Sequence, residues 1–433
     1  MENNRNLFLT IALSVAILSL WQIFYVNPRI EEQRLEQAQI QAQTQAATPG
    51  TSTEGGDIPA ATVTPGTAAS DIPQTSIAGQ SGNLSDDREA AVSAAGRIAI
   101  ETDLLTGSIN LVGARFDDLS LKNYHVTNDD ESPIVDLLTP AGVQNAYFGE
   151  FGYTGFEDAQ GPNSEWTLQS GATLTPSTPV TLTFDAPNGL TFTRTIAIDD
   201  GYMFSIDDQI LNNGAGAISL QDYGRTTRFF KPEAAPIFIL HEGMVGVTGE
   251  TGLTEYSFSE IEDDGEVKLD KSTDGWLGIT DKYWATALIP TDGRGFQPRY
   301  QYLSSGTERY QSDFLADPIT VNPGQTATVG NKFFAGAKKT EIIDAYEADL
   351  GIRQFELMID WGWFHFITKP LFVWIMFPLF NFLGNFGVAI LMTTVIVKAV
   401  FFPLASKSYA SMARMKVVQP QMAEIKEKYG EDR

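Results

Sequence analysis

Lys398 is the only charged residue in the apolar run 384–403, which has the length of about 20 residues that a helix needs to cross a bilayer. A cation at such a depth costs free energy that something must offset, so it marks a functional site by default. Thr394 precedes it by one helical turn, and Gly387, Leu391, Thr394 and Lys398 share one helix face with polar character. The chemistry open to that face is electrostatic: it attracts an anionic group without making or breaking a bond. Snorkelling is the other reading, because the lysine lies only five or so residues from the end of the run, roughly 7 Å by helical rise, and its stem can reach the headgroups. The residue alone fits both, and the polar stripe favours a wet cavity.

The remaining reactive residue types point to no covalent chemistry. His125, His241 and His365 are far apart and have no neighbours at metal-ligand spacing. With no cysteine, a disulfide, a thiolate metal site and a thiol nucleophile are all excluded. Neither a nucleophile elbow, nor a zinc-protease helix, nor a phosphate loop occurs. The acidic run Glu260, Glu262, Asp263, Asp264, Glu266 misses the spacing of an EF-hand loop, and Asp263-Asp264-Gly265 reads as a solvated hairpin turn. Gly243, Gly246, Gly249 and Gly252 precede no helix pattern, so they form no dinucleotide fingerprint. No enzyme activity, cofactor or metal is expected.

The elements that must position Lys398 are legible in the hydropathy. The chain has 433 residues, 43% hydrophobic, and a net charge of −25, which allows one or two folded domains and opposes binding to nucleic acid. After Pro403 the balance changes, with Lys407, Arg414, Lys416, Lys426, Lys428 and Arg433 against four acids. By the positive-inside rule that flank is cytoplasmic. Residues 7–26 form a second apolar run, ending in Trp21, Phe24 and Tyr25 and followed by Asn27-Pro28-Arg29. It is longer than a signal-peptide core and lacks a small-residue cleavage site, so an uncleaved anchor is expected in place of a cleaved leader. Two crossings put the N-terminus in the cytoplasm and residues 30–360 outside it.

Between the apolar ends, residues 30–95 are rich in Gln, Ala, Thr, Gly, Pro and Ser and read as a disordered linker. From residue 97 to about 332 the pattern has period two. Val180, Leu182 and Phe184 alternate with threonines, Asp185-Ala186-Pro187-Asn188-Gly189 turns the chain, and Phe192, Arg194 and Ile196 continue it before a second turn at Asp199-Asp200-Gly201. A large all-β sandwich follows. Ile343, Tyr346 and Leu350 predict a helix over Thr340–Leu350 that links the sandwich to the membrane block.

Residues 361–403 are apolar for long enough to cross twice, but Pro370, Pro378 and Gly384-Asn385 divide them, leaving one crossing. The first half, with Trp361, Trp363, Phe364, Lys369 and Trp374, reads as an interfacial helix. The expected organisation is an anchor at 1–29, a linker at 30–95, a periplasmic sandwich with its C-terminal helix at 96–350, an interfacial helix at 351–383, a second span at 384–404 and the start of a cytoplasmic helical hairpin at 405–433. Met412, Met415, Val418, Met422 and Ile425 give that last stretch an amphipathic spacing suited to anionic headgroups or cytoplasmic partners.

In order along the chain, Asn6-Leu7, Asp360-Trp361-Gly362-Trp363, Gly384-Asn385-Phe386-Gly387, Pro403-Leu404, Tyr409-x-Ser411-Met412-x-Arg414-Met415 and Gln419-Pro420 resemble the YidC/Oxa/Alb family of membrane insertases in its Gram-negative form. The resemblance implies a periplasmic β-supersandwich similar in shape to sugar mutarotases, an interfacial helix, and five core helices around a hydrophilic groove. It implies that Lys398 stands where the family usually has arginine, keeping the charge but not the planar fork of donors. It also implies inner-membrane insertion of nascent membrane proteins, alone or with the Sec translocon, including SecYEG and SecDF, and contact with the ribosome or signal recognition particle. The chain ends at Arg433, inside the hairpin the family would place there, so four core helices are expected in a longer parent. The rival expectation is a membrane-tethered periplasmic carbohydrate-binding or mutarotase-like domain.

Overall fold

The structure, a computed structural model, describes residues 72–73 and 87–429, apart from 128, 130, 157, 230, 233–240, 305–306 and 363; the side chains of 417 and 421–429 are also outside the description. The expected anchor at 1–29 and most of the linker lie outside the described residues.

Alternation builds the sandwich. In Leu190–Ile198 every second residue is buried, and Val180 and Leu182 of the preceding strand, Val180–Asp185, face the same way. The two strands pair antiparallel around the turn at 186–189, where Gly189 has a φ of 90°, a conformation that glycine adopts without strain. After Asp199-Asp200-Gly201 the chain returns as Met203–Asn212, antiparallel again.

Among the described residues, repetition of this unit gives two sheets of eleven and nine strands. The larger one centres on Arg115–His125, Tyr147–Thr154, Ile218–Phe229 and Arg309–Ala316; the smaller one on Met203–Asn212, Thr326–Ala337 and Trp284–Pro290. Between them Phe116 lies 5.0 Å from Phe204 and 5.3 Å from Phe333, ring centre to ring centre. Gly149 leaves room for this packing, since a Cβ there would come within 2.5 Å of the Phe333 ring. Several buried charges are paired: Arg194 makes two bonds to Asp208 at 2.8 and 2.7 Å, Arg115 and Arg225 both engage Glu150, and Arg299 grips Asp313.

Five expectations change. Within the linker, α1 (Arg88–Ser93) is a helix capped by Asp87 and fixed by Arg88 to Asp118 at 2.5 Å and Asp136 at 3.3 Å, and Ile72 is only 3% exposed. The acidic run is not a hairpin turn but the helix α2 (Phe258–Asp264). Ser257 and Glu260 form a capping box there, which starts a helix, and Gly265 ends it with a φ of 73°. The helix α3 runs from Thr340 to Leu350 as predicted, but residues 351–364 are turns and a 3₁₀ segment, Phe355–Met358, and the interfacial helix begins at His365.

That helix, α4 (His365–Leu383), is not divided by Pro370 or Pro378. It passes through a π-helical turn at Phe372–Met376, between the two prolines, and ends at Gly384 in a left-handed cap. Last, no break separates the second span from the expected hairpin arm. α5 (Phe386–Tyr429) is one 44-residue helix through Pro403 and Pro420, with Ser406 Oγ donating to the Pro403 carbonyl at 3.0 Å.

Candidate functional site

The site is built where the sandwich meets the apolar helices. Ile343 and Tyr346 of α3 are buried, and the Tyr346 hydroxyl accepts a bond from the Tyr202 backbone N–H at 2.7 Å. Phe334, Tyr346, Phe355 and Trp276 pack edge to face around it, with Phe334 and Phe355 5.6 Å apart and Trp276 and Phe355 5.3 Å apart. Trp276 Nε1 donates to the Arg353 carbonyl at 3.1 Å. These contacts bring the chain out of the sandwich at a fixed place.

Lys369 joins that base to α4. Its Nζ lies 3.0 Å from Asp344 Oδ1 on α3 and also binds Glu356 of the 3₁₀ segment. Beyond this clasp α4 turns its aromatics to α5: Phe386 lies 6.5 Å from Phe372 and 5.5 Å from Phe380. Ala389 and Thr393, on the same side of α5 as Phe386, are buried.

Lys398 and Thr394 lie on another face of α5 and are exposed. The Thr394 hydroxyl donates to its own helix, at 2.9 Å to the Ile390 carbonyl, so its donor is spent on the backbone. Lys398 has no ion pair or hydrogen bond among the described residues. Of the expected interfacial residues, Trp361 packs its ring 5.6 Å from Phe372, Phe364 is 52% exposed and Trp374 75% exposed, while Trp363 is outside the described residues. Tyr409, Met412, Arg414, Met415, Gln419 and Pro420 all lie exposed along the distal half of α5. The structure thus brings Trp361 and Lys369 together at the base and leaves Lys398 and the distal residues apart from it.

Sequence reading missed two features here. The partners of Lys369 are 25 and 13 residues away, and nothing in local spacing announces them. A cavity of about 380 Å³ beside Trp361, lined by Glu255 and Asp360, joins a strand to a loop more than a hundred residues later.

A β domain clasped to an apolar helix, followed by a helix with a lone cation in its apolar stretch, is the layout of a membrane protein whose folded domain stands on one side of the bilayer. The comparisons narrow this. Residues 97–374 match the model of the YidC periplasmic domain, and residues 378–433 match that of the 60Kd inner membrane protein family. The membrane protein insertase YidC of Mesorhizobium japonicum is 51% identical over 440 aligned residues, covering 100% of this chain and 71% of the relative. That of Rhizobium meliloti is 49% identical with the same coverage. The chain belongs to the YidC family of membrane protein insertases, and is accordingly an inner membrane protein with a periplasmic domain and no enzymatic activity. Among solved structures, a galactose mutarotase-like protein from Clostridium acetobutylicum is similar at a TM-score of 0.40 and 9% identity, over 57% of this chain and 96% of that one. A galactose mutarotase related enzyme from Lactobacillus acidophilus reaches 0.36 and 11%, over 56% and 97%. Both likenesses are too weak to carry an activity across.

Proposed function

We propose that the chain inserts nascent membrane proteins by electrostatic capture at Lys398. The observation that carries this is the exposure of the lysine, unpaired among the described residues, on a face of α5 that α4 does not cover. An acidic or polar N-terminal tail drawn to Lys398 loses less on leaving bulk water, because the cation replaces part of its hydration. The hydrophobic segment behind the tail then passes into lipid, and burial of its apolar surface drives the step.

In this reading α4 lies in the interface and α5 crosses. α4 is long and apolar enough to cross as well, but two crossings would put the basic residues after Pro403 on the same side as the sandwich, against the positive-inside rule. The clasp of Lys369 to Asp344 and Glu356 supports this reading, because it ties the start of α4 to the end of the β domain. The N-terminus is then cytoplasmic, the protein multi-pass, and the distal half of α5 free to meet anionic headgroups, the ribosome or signal recognition particle. The Sec translocon, with SecYEG and SecDF, is the partner expected for substrates that need a channel.

The test uses the absence of cysteine. Lys398→Cys in membranes should react with a water-soluble maleimide, whereas Ala399→Cys, at the same depth and about 100° round the helix, should not. Equal labelling at both positions, or none at 398, rejects a wet chamber beside Lys398.

A further inference from the structure

Tyr283 is 56% exposed, and no other aromatic side chain of the β domain is comparably exposed among the described residues. It sits in the turn between the strands Gly275–Thr280 and Trp284–Pro290 of the nine-stranded sheet. That turn lies at the end of the sheet from which the chain leaves for the apolar helices, because Trp284 pairs with Ala337, just before α3. The Lys338 N–H donates to the Tyr283 carbonyl at 2.8 Å. Lys339, the next residue, lines with Phe372, Val373 and Phe377 a groove of about 280 Å³ between α3 and α4. The turn is therefore continuous with the apolar helix.

Its side chains suit the boundary between hydrocarbon and water. Lys282 Nζ stands 4.8 Å from the centre of the Tyr283 ring, and the Trp284 ring lies 5.8 Å from it. Tyrosine and tryptophan join an apolar body to a polar tip, and lysine carries its charge on a long apolar stem. Lys282 and Lys339 are exposed and have no carboxylate partner among the described residues. The acids around them are engaged elsewhere: Asp281 pairs with Arg228 at 2.6 Å, Glu242 accepts the Lys282 backbone N–H at 3.2 Å, and Asp344 pairs with Lys369 at 3.0 Å. Glu341 is in the first turn of α3, where the helix dipole favours it. Two ammonium groups beside an exposed aromatic ring thus face outward, next to a helix that meets the membrane.

We infer that the turn 281–284 seats in the headgroup layer of the periplasmic leaflet, with the Tyr283 ring at the edge of the acyl chains and Lys282 and Lys339 on phospholipid phosphates. The inference rests on the interfacial placement of α4, which brings this end of the sheet to headgroup level. It gives the β domain a second contact with the bilayer, away from the Lys369 clasp, and so fixes its tilt.

The test uses single-cysteine variants of the full chain in vesicles that carry a nitroxide on a fraction of their headgroups. Y283C, F366C on α4, and A215C, in the loop at the opposite end of the sheet and roughly 30 Å away by strand rise, receive the same small fluorophore. We expect nitroxide quenching at 283 at least fivefold above that at 215. Because the fluorophore is itself apolar, a label on E341C is compared with Tyr283 intact and in the Y283S background, where quenching should fall at least twofold. Quenching at 283 no stronger than at 215, or quenching at 341 unchanged by Y283S, overturns the inference. Shielding of 283 from aqueous iodide without nitroxide quenching places a second copy of the chain on the turn and also overturns it. Strong quenching at 366 with none at 283 sinks the turn alone, whereas none at either position sinks the interfacial placement of α4 as well. All the substituted side chains are exposed, and a melting temperature equal to that of the wild type separates a lost contact from a lost fold.

Discussion

Lys369 Nζ and Asp344 Oδ1 stand 3.0 Å apart, and with Glu356 they tie an apolar helix to the last helix of a β domain. The three side chains are 22% to 37% exposed, so each pair contributes little to stability, on the order of 0–1 kcal/mol. What the clasp determines is geometry: it sets where α4 leaves the sandwich.

Lys369→Ala should therefore leave the melting temperature of the β domain almost unchanged while loosening the joint. Hydrogen exchange at the start of α4 and through residues 351–364 should rise severalfold in the variant, with the strands unaffected. Uniform protection across the joint would show that the aromatic packing around Phe355 holds α4 without the clasp.

The buried pair Arg194–Asp208 should behave in the opposite way. Both side chains are at most 3% exposed, and the pair is bidentate, with Tyr153 donating to the same carboxylate at 2.7 Å. Removing one partner strands a buried charge and costs about 3–5 kcal/mol. Asp208→Ala should accordingly lower the denaturant midpoint of the β domain sharply. Arg194→Met combined with Asp208→Leu should recover much of the loss, since no uncompensated charge then remains.

Lys338 gives a pH signature. Burial brings its ammonium down to about 8 from the ordinary 10.5, against the attraction of Asp281 and Asp360. The folded state thus holds fewer protons at this site than the unfolded chain between those values, and stability rises with pH through that window. Below pH 8 the charged lysine is a standing cost to the fold. Chemical denaturation at pH 8, 9 and 10 should show the rise, and Lys338→Met should flatten it.

Much of this architecture was legible because it is periodic. The alternation around Phe192 and Ile196, the turns at 185–189 and 199–201, and the bounds of Thr340–Leu350 all follow from local pattern. The acidic run failed as a hairpin because one local signal outweighed another: the Ser257–Glu260 capping box starts a helix that carries the chain past Asp263-Asp264-Gly265. Pro370 failed as a helix stop because a proline removes only one backbone donor, and the helix continues past it into a π-helical turn. Lys398 stood out because charge is rare in apolar runs. Glu255, Asp360 and the partners of Lys369 did not, since each depends on contacts between segments that only the fold brings together.

The account turns on the positive charge of Lys398, and insertion of a substrate with an acidic N-terminal tail measures it directly. In cells depleted of their own insertase, the full-length protein carrying Lys398→Ala should lose tenfold or more of the insertion rate for that substrate. Lys398→Arg should retain most of it, and the Ala defect should shrink when the tail is made neutral. Wild-type insertion of the acidic-tailed substrate by the Ala variant would contradict the account.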